Sequence, residues 1–445
     1  MIISAHFQVV SGLEGNTGKT YLVYGSAALS AQQTISLGNV GGSVPGFVIS
    51  GWQAGEESGT SVSSAGDFNG DGKADLLVSA YKDYASFANQ GLTYVVLGKS
   101  TNNTDIDLKS FANSTLDTRG FYIKGESGSD FSGVSVSSGG DINGDGYGDI
   151  LVGAIVSSTS NPNVNSGKTY VVFGKADVST NILLSDIANG IGGFAIVSTA
   201  AGEQSGHSVS SAGDVNGDGL MDIIIGGPGN GVNGSNTGQS YVVYGKATLT
   251  NVSLSDVANN IGGFAIIGQG AQDLSGYSVG AAGDVNGDGF DDLIIGANSA
   301  DPNGLNGAGA SYVVFGSNFT ASVTQVGTTG NDTLSGTAGN DVIFGGLGND
   351  VITTNGGNDR IAGGPGADTF KISDGPGTIR ILDFGEGDTL DLSAFGLSGR
   401  PPFTQSGSGD TQIQLDADTF VIVEGYVPAQ LSDFLTSTPS SLIVL

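Results

Sequence analysis

Four nine-residue stretches hold the side chains best suited to chemistry. They place Asp67, Asn69, Asp71, Lys73 and Asp75 at positions 1, 3, 5, 7 and 9. The same grammar recurs at Asp141, Asn143, Asp145, Tyr147 and Asp149, at Asp214, Asn216, Asp218, Leu220 and Asp222, and at Asp284, Asn286, Asp288, Phe290 and Asp292. A hard cation such as Ca²⁺ takes about six to eight oxygens. Carboxylates or amides at positions 1, 3, 5 and 9, with the backbone carbonyl of position 7, can wrap one ion. Glycine at position 6 permits the sharp turn. An Asx-rich hairpin turn without metal would also use Asn and Gly, but it needs no acid at positions 1, 5 and 9 together. Further along, Asp332, Asp341, Asp350, Asp359 and Asp368 recur every nine residues. Each is followed two positions later by an apolar residue: Leu334, Ile343, Ile352, Ile361 and Phe370. A flexible glycine-rich linker would not keep an acid and an apolar residue in phase.

The acidic loops recur at roughly 70-residue intervals, so the elements that position them must repeat too. Each unit shows a GF segment (from Gly46, Gly120, Gly193 and Gly263), an alternating SVSSAG-type strand and the acidic loop. A buried β run such as DIIIGG, a glycine-rich loop and a YVVFGK-type strand follow. Alternation and β-branched content read as four short strands per unit, near residues 46–100, 120–176, 193–247 and 263–318. LSDIANGIGG and LSDVANNIGG can form a helical turn between units. Four-stranded units in series suggest blades around an axis. Residues 1–27 align without a gap on residues 150–176, so the chain starts inside a blade. Closure of that partial blade by residues near 319–326 would not require deleting a metal loop, so truncation or a misplaced start is the favoured reading.

SVSSAGDFNGDGKADLLVSA and its three companions resemble FG-GAP repeats, the blades of the integrin α-subunit propeller. The resemblance covers roughly residues 1–318. It implies a β-propeller with calcium in the hairpin loop between the first two strands of a blade. Such propellers usually have seven blades, and only four complete units are visible here. After Gly327 the nonapeptides GTTGNDTLS, GTAGNDVIF, GGLGNDVIT, TNGGNDRIA and GGPGADTFK fit the repeat-in-toxin (RTX) pattern, which implies a parallel β-roll whose glycine turns wrap calcium. Two nonapeptides make one coil, so Asp332, Asp350 and Asp368 line one edge while Asp341 and Asp359 line the other. The expected ion pairings are 332 with 350, 350 with 368, and 341 with 359. TIRILDFGEGDTLDLSAFG resembles the capping region of serralysin-like and haemolysin-like secreted proteins. The segment from Pro401 to Leu445, free of Lys and Arg, resembles an uncleaved type I secretion signal of Gram-negative bacteria.

The fold expected is therefore all-β: an FG-GAP β-propeller over 1–326 with four complete units and a partial N-terminal one, a short parallel β-roll over 327–372, and a β-rich cap with the secretion signal over 373–445. The 445 residues carry 14 basic and 43 acidic side chains, a net charge of −29, which repels phosphate backbones and excludes nucleic acid as a partner. Zero Cys excludes disulfides and thiolate chemistry. No apolar run approaches a membrane span, and no N-terminal signal peptide is visible. His6 and His207 are too few and too isolated for the usual zinc sets. The GxSxG at Gly276–Gly280 sits in a register repeated by every blade, without a following helix. The GxGxxG of Gly229, Gly231 and Gly234 lies in a loop. The expected function is a secreted, non-catalytic calcium-binding adhesion or recognition protein. It would hold about four ions in the propeller loops and about three in the roll, for folding and rigidity. Its partners would be a protein or glycan surface ligand and the type I secretion machinery of a Gram-negative-type bacterium. The alternatives are the C-terminal portion of a larger secreted RTX enzyme and a carbohydrate-binding propeller.

Overall fold

The structure is a computed structural model. It describes residues 1–445 apart from 11–14, 26–33, 83–88, 100–103, 113–117, 157–164, 230, 232–234, 247, 320–322, 329, 386, 398–400, 406–409, 424–442 and 445. Strands dominate, and the α-helical segments are single turns such as Leu184–Ala188 and Leu254–Val257. Those two turns fall where LSDIA and LSDVA were expected to coil. Each buries its first leucine and a branched residue three positions on.

Residues 58–314 build four sheets around the acidic loops. In the first of them, Val62–Gly66 pairs with Asp75–Ala80, then Leu92–Val96, then Gly120–Lys124, and the short Ile182–Leu183 adds in parallel. The next sheet runs Ser132–Gly140, Asp149–Ala154, Lys168–Val172, Gly193–Val197 and Val252–Ser253. A third has Ser208–Gly213, Asp222–Gly227, Gln239–Val243 and Gly263–Ile267, and a fourth has Ser275–Gly283, Asp292–Ala297 and Ala310–Val314. The GF strand read as the opening of each unit thus closes the sheet before it: Gly120–Lys124 bonds to Leu92–Val96, not to the strand that follows it in sequence. Sequence unit and sheet are offset by one strand, because the apolar GF run needs the YVV strand as its antiparallel neighbour.

The N-terminal sheet joins Ile2–Ala5, Lys19–Val23, Gly46–Ser50 and Ile106–Asp107. Its register, with Ile2 opposite Leu22, reproduces that of Leu151 opposite Val171, as the gapless alignment requires. Of the segment considered for closing this sheet, Gln325–Val326 instead pairs in parallel with Val342–Phe344.

Neighbouring sheets are locked by recurrent hydrogen bonds. Ser61 Oγ accepts the Val136 amide, Ser135 Oγ the Val209 amide and Ser208 Oγ the Val279 amide, at 3.0 to 3.1 Å. Backbones also meet directly. A Cβ on Gly153 would lie 2.1 Å from the carbonyl oxygen of Gly206, and one on Gly226 1.9 Å from that of Gly276. Apolar clusters draw residues from adjacent sheets, as where Leu77 and Val95 pack with Ile150, Val152 and Tyr170. Each fully buried aliphatic side chain contributes about 1.5–3 kcal/mol.

Residues 325–391 coil. One face stacks Gln325–Val326, Val342–Phe344, Arg360–Ala362 and Gly377–Ile381, and the other stacks Thr333–Ser335, Val351–Thr353, Thr369–Lys371 and Thr389–Asp391, all in parallel. Leu334, Ile352, Phe370 and Leu390 stand in register, and Ile343, Ile361 and Ile381 do so opposite them, forming a dry core. Thr419–Val423 extends the first face in parallel, and Thr411–Gln414 and Phe403–Gln405 add antiparallel strands. Ile443–Val444 extends the second face. The rest of the expected secretion signal, 406–409, 424–442 and 445, lies outside the described residues.

By proximity of backbone, one compact unit comprises residues 1–212, 221–281 and 294–313, and the other 213–220, 282–293 and 314–445. The third and fourth acidic loops therefore pack largely in the unit that contains the coil.

Gly153→Ala places a methyl group against the Gly206 carbonyl with no flexible side chain to give way. The substitution should lower the unfolding free energy by about 1–3 kcal/mol in chemical denaturation. Gly202→Ala, where the space is open but φ is +76°, should cost less.

Candidate metal centres

A bulge at the base of the hairpin sets each acidic loop. Register shifts between Ser64 and Gly66 in one sheet, and between Asp149 and Ile150 in the next, at the points where the strands enter the loop. Two glycines at positive φ then reverse the chain: Gly70 and Gly72 at +70° and +81°, and Gly287 and Gly289 at +75° and +85°. Glycine is thus needed at position 4 as well as position 6, which sequence reading did not anticipate.

The side chains fold inward on their own backbone. Asp67 Oδ1 accepts the Asp71 amide at 2.9 Å and Oδ2 the Gly72 amide at 2.8 Å, while Asn69 Oδ1 also accepts from Asp71. Asp141 receives Gly144, Asp145 and Gly146 in the same way, and Asp284 receives Gly287, Asp288 and Gly289. Asp214 receives Asp218 and Gly219. Position 5 accepts the amide of position 7: Asp71 from Lys73, Asp145 from Tyr147, Asp218 from Leu220 and Asp288 from Phe290. Positions 1, 3 and 5 are thereby gathered in every loop.

Position 9 does something different. Asp75, Asp149, Asp222 and Asp292 are fully buried. Asp75 accepts Phe68 N–H at 3.1 Å on one oxygen and Gly98 N–H at 2.7 Å on the other. Asp149 does so with Ile142 and Gly174, and Asp292 with Val285 and Gly316. Asp222 accepts from Gly245. Asp75, Asp149 and Asp292 thereby tie their own loops to the end of the third strand. Burial, against the opposing backbone amides, pushes Asp75 up to about 6 and Asp149 up to about 7, and the acids of the same loop add to the shift. Among the described residues no three His, Cys, Asp or Glu side chains converge as a finished ligand set. The oxygen-only donor chemistry nevertheless fits a hard divalent cation.

Loops are also joined in series. Gly148 N–H donates to Asp67 O and Lys175 N–H to Phe68 O, and Asp291 N–H donates to Asp214 O and Ser317 N–H to Val215 O. In the second and fourth loops the position-7 side chain, valued from sequence only for its carbonyl, packs on position 4 of the preceding loop. A Cβ on Gly70 would meet the Tyr147 ring at 2.6 Å, and one on Gly217 the Phe290 ring at 2.9 Å. At Gly287 the corresponding neighbour is Leu347 of the coil, at 2.2 Å.

In the coil, successive acids are linked at the 18-residue spacing. Asp332 N–H donates to Asp350 Oδ1 and Asp350 N–H to Asp368 Oδ1 along one edge, and Asp341 N–H donates to Asp359 Oδ1 along the other, at 2.7 to 3.0 Å. The series goes further than expected. Asp368 N–H donates to Asp388, and Asp383 accepts Gly363 and Gly364. The turn there takes 20 residues, which hid it from a strict nine-residue count, yet Asp388-Thr389-Leu390 repeats Asp368-Thr369-Phe370.

The second oxygens divide the five acids into two kinds. Those of Asp332 and Asp341 accept both the amide and the hydroxyl of Thr328 and Thr337, which replace a glycine of the repeat. Those of Asp350, Asp359 and Asp368 are buried with no hydrogen-bond partner. Glycine makes the space, since a Cβ on Gly345 or Gly363 would lie 2.5 or 2.3 Å from Asp350 or Asp368 Oδ2. Burial pushes Asp359 up to about 6 and Asp368 up to about 7, and raises Asp350. A buried anion with an unused oxygen is costly unless a cation meets it, and Ca²⁺ in a glycine-walled turn suits that need.

Serial sheets each carrying an oxygen-rich hairpin loop, followed by a coil with an acid at every turn, define a calcium-binding repeat protein. Residues 58–96, 132–172, 205–243 and 275–314 match the FG-GAP repeat, and 326–361 and 336–370 match the RTX calcium-binding nonapeptide repeat in four copies. The chain carries both kinds of repeat. It is 31% identical over 237 residues to integrin alpha pat-2 of Caenorhabditis elegans, covering 53% of this chain and 17% of that protein. It is 29% identical over 229 residues to integrin alpha-PS3 of Drosophila melanogaster, covering 50% and 18%. The chain thus spans less than a fifth of these relatives. The solution structure of the AlgE6R3 subunit from the Azotobacter vinelandii mannuronan C5-epimerase is 26% identical, covers 27% of this chain and 88% of that one, and superposes with a TM-score of 0.12. Among the described residues no helix is long and apolar enough to cross a membrane.

Acids outside the loops were missed from sequence, though an SG pair follows each of them. Glu56 accepts Trp52 N–H, Glu126 accepts Lys168 Nζ and Tyr170 Oη at 2.6 Å, and buried Glu203 accepts Ser198 and Tyr241 hydroxyls. They brace the turns between sheets. Beside Glu126, burial outweighs the Ser127 amide and pushes Asp130 up to about 7. A carboxyl raised in the folded state favours its neutral form, so its contribution to stability falls as pH rises from about 4 through 7. Asp130→Asn should therefore gain thermal stability relative to the parent at pH 8 and not at pH 4, as calorimetry at both values would show.

If neighbouring coils share ions, Asp350→Ala should remove about two from the full chain and Asp341→Ala about one in calorimetric calcium titration. Equal losses would refute the pairing.

Proposed function

We propose that the chain is a secreted, non-catalytic recognition protein in which calcium fixes the fold of the roll and stiffens the loops that carry the binding surface. The observation behind this reading is the set of buried, partnerless carboxylate oxygens on Asp350, Asp359 and Asp368. In this reading the acidic loops bind ions through positions 1, 3, 5 and 9 and the carbonyl of position 7, and the roll takes about three. Seventeen of the 43 acids then face cations. Gathering those charges without ions is repulsive, and an ion bound only by the folded state stabilises it by about 1.4 kcal/mol at tenfold its dissociation constant.

Likeness to integrin α chains over the sheet-forming half supports adhesion as the role, with a protein or glycan as the surface ligand. The RTX repeats and the base-free C-terminal segment support export by type I secretion, and hence an extracellular site of action. Part of that segment also serves the roll, since Ile413, Val421 and Val423 lie in its core. Removing everything beyond Pro401 would therefore damage folding as well as any export signal.

The purified chain should lose β circular dichroism and melt at lower temperature in chelator, and regain both at millimolar calcium. Adhesion to immobilised matrix proteins or to a glycan array should require the same calcium. Melting and adhesion unchanged by chelator would overturn the proposal.

A further inference from the structure

The four acidic loops differ in one respect that their sequences hide. Arg360, from the roll strand Arg360–Ala362, reaches the third loop, and both belong to the same compact unit. Its Nη2 donates to Asp214 Oδ2 at 3.2 Å and its Nη1 to the Gly217 carbonyl at 3.3 Å. Both side chains are largely shielded, with Arg360 22% and Asp214 17% exposed. The fit is close, since a Cβ on Gly219 would lie 2.5 Å from the guanidinium carbon. At Asp67, Asp141 and Asp284 the corresponding oxygen receives the position-6 amide. At Asp214 it receives that amide and the guanidinium.

The backbone holds Arg360 to this task. Ile361 is buried in the roll core, Arg360 N–H donates to Asp341 O, and the side chain leaves on the opposite face. Around it, Phe290, Val323, Phe344 and Ala362 form an apolar cluster. The acids facing it are Asp214 and, beyond Asp214, Asp291, whose Oδ2 accepts the Asp214 amide at 2.8 Å. These two carboxylates with one fixed cation between loop and roll leave less negative potential for a divalent ion than the same loop would have alone.

We propose that Arg360 is the resident cation of the third loop: its guanidinium neutralises Asp214 in the place of Ca²⁺, so that this loop binds calcium at least about tenfold more weakly than its sisters while the roll is folded. The proposal rests on the reading of the other loops as calcium sites. Arginine suits the role because its charge is permanent and its planar fork serves a carboxylate and a carbonyl at once. The linkage is reciprocal: calcium forced into the third loop would loosen Arg360, and with it the seating of the roll strand that bears it.

Calcium stoichiometry of the full chain, by isothermal titration and by equilibrium dialysis with ⁴⁵Ca²⁺, tests this. Asp145→Ala in the second loop should remove one ion, whereas Asp218→Ala in the third should remove none. Arg360→Gln should add one ion, and Asp218→Ala placed on Arg360→Gln should remove it again. Loss of an ion from Asp218→Ala in the parent chain would overturn the proposal, as would an unchanged count in Arg360→Gln that melts like the parent. If Arg360→Gln does not fold, the comparison of Asp145→Ala with Asp218→Ala decides alone. Loss from neither loop would overturn the calcium reading of the loops and the proposal with it.

Discussion

The buried aspartate that ends each acidic loop is the interaction on which the sheets depend. A charged or ionisable group taken out of water needs hydrogen bonds, and at Asp75, Asp149 and Asp292 two backbone amides meet it, one from the start of its loop and one from the end of the third strand. That single carboxylate fixes where the hairpin turns and where the neighbouring strand stops. It also holds positions 1, 3 and 5 close enough together for a cation to have something to bind. At Asp75 and Asp149 the burial that makes the aspartate a good anchor also raises its proton affinity, so the fold alone favours the neutral acid and a nearby cation would pull the balance back toward the carboxylate.

Beyond the single loop, the molecule is held by contacts that repeat once per sheet. Serine hydroxyls accept amides from the next inner strand, glycine backbones touch, and loop carbonyls accept from the loop that follows. These are short-range, nearest-neighbour terms, the energetics of a repeat array. The coil obeys the same logic at a finer spacing, with an amide of one turn bonded to the carboxylate of the next. In both parts glycine appears where backbone or carboxylate must approach closely, which accounts for much of its abundance.

The loops, the 18-residue coil and the two helical turns were legible because each rests on local grammar: acids at fixed offsets, an apolar residue in phase, a leucine and a branched residue three apart. What escaped depended on partners distant in sequence. The GF strand could not be assigned to the preceding sheet from its own residues, since alternation does not say which neighbour it bonds. Asp383 and Asp388 were passed over because a 20-residue turn breaks the count. Thr328 and Thr337 look like minor lapses from double glycine, yet their hydroxyls divide the coil's acids into satisfied and unsatisfied. Arg360 occupies a position where any polar residue would fit the repeat, and only the packing reveals that it faces Asp214.

Leu347 carries a further consequence. In the first and third loops, the position-4 glycine is covered by an aromatic side chain from the next loop in line, Tyr147 over Gly70 and Phe290 over Gly217, so each of these loops borrows part of its wall from its successor. The fourth loop has no successor, and a leucine from the second kind of repeat supplies the missing wall. Two unrelated periodicities, one of about 70 residues and one of nine, meet at this contact, as they also do where Arg360 reaches Asp214 and Phe344 packs on Phe290. A repeat array needs a distinct end piece to seal its last interface, and at the fourth loop Leu347 of the coil takes the place that a further repeat would fill.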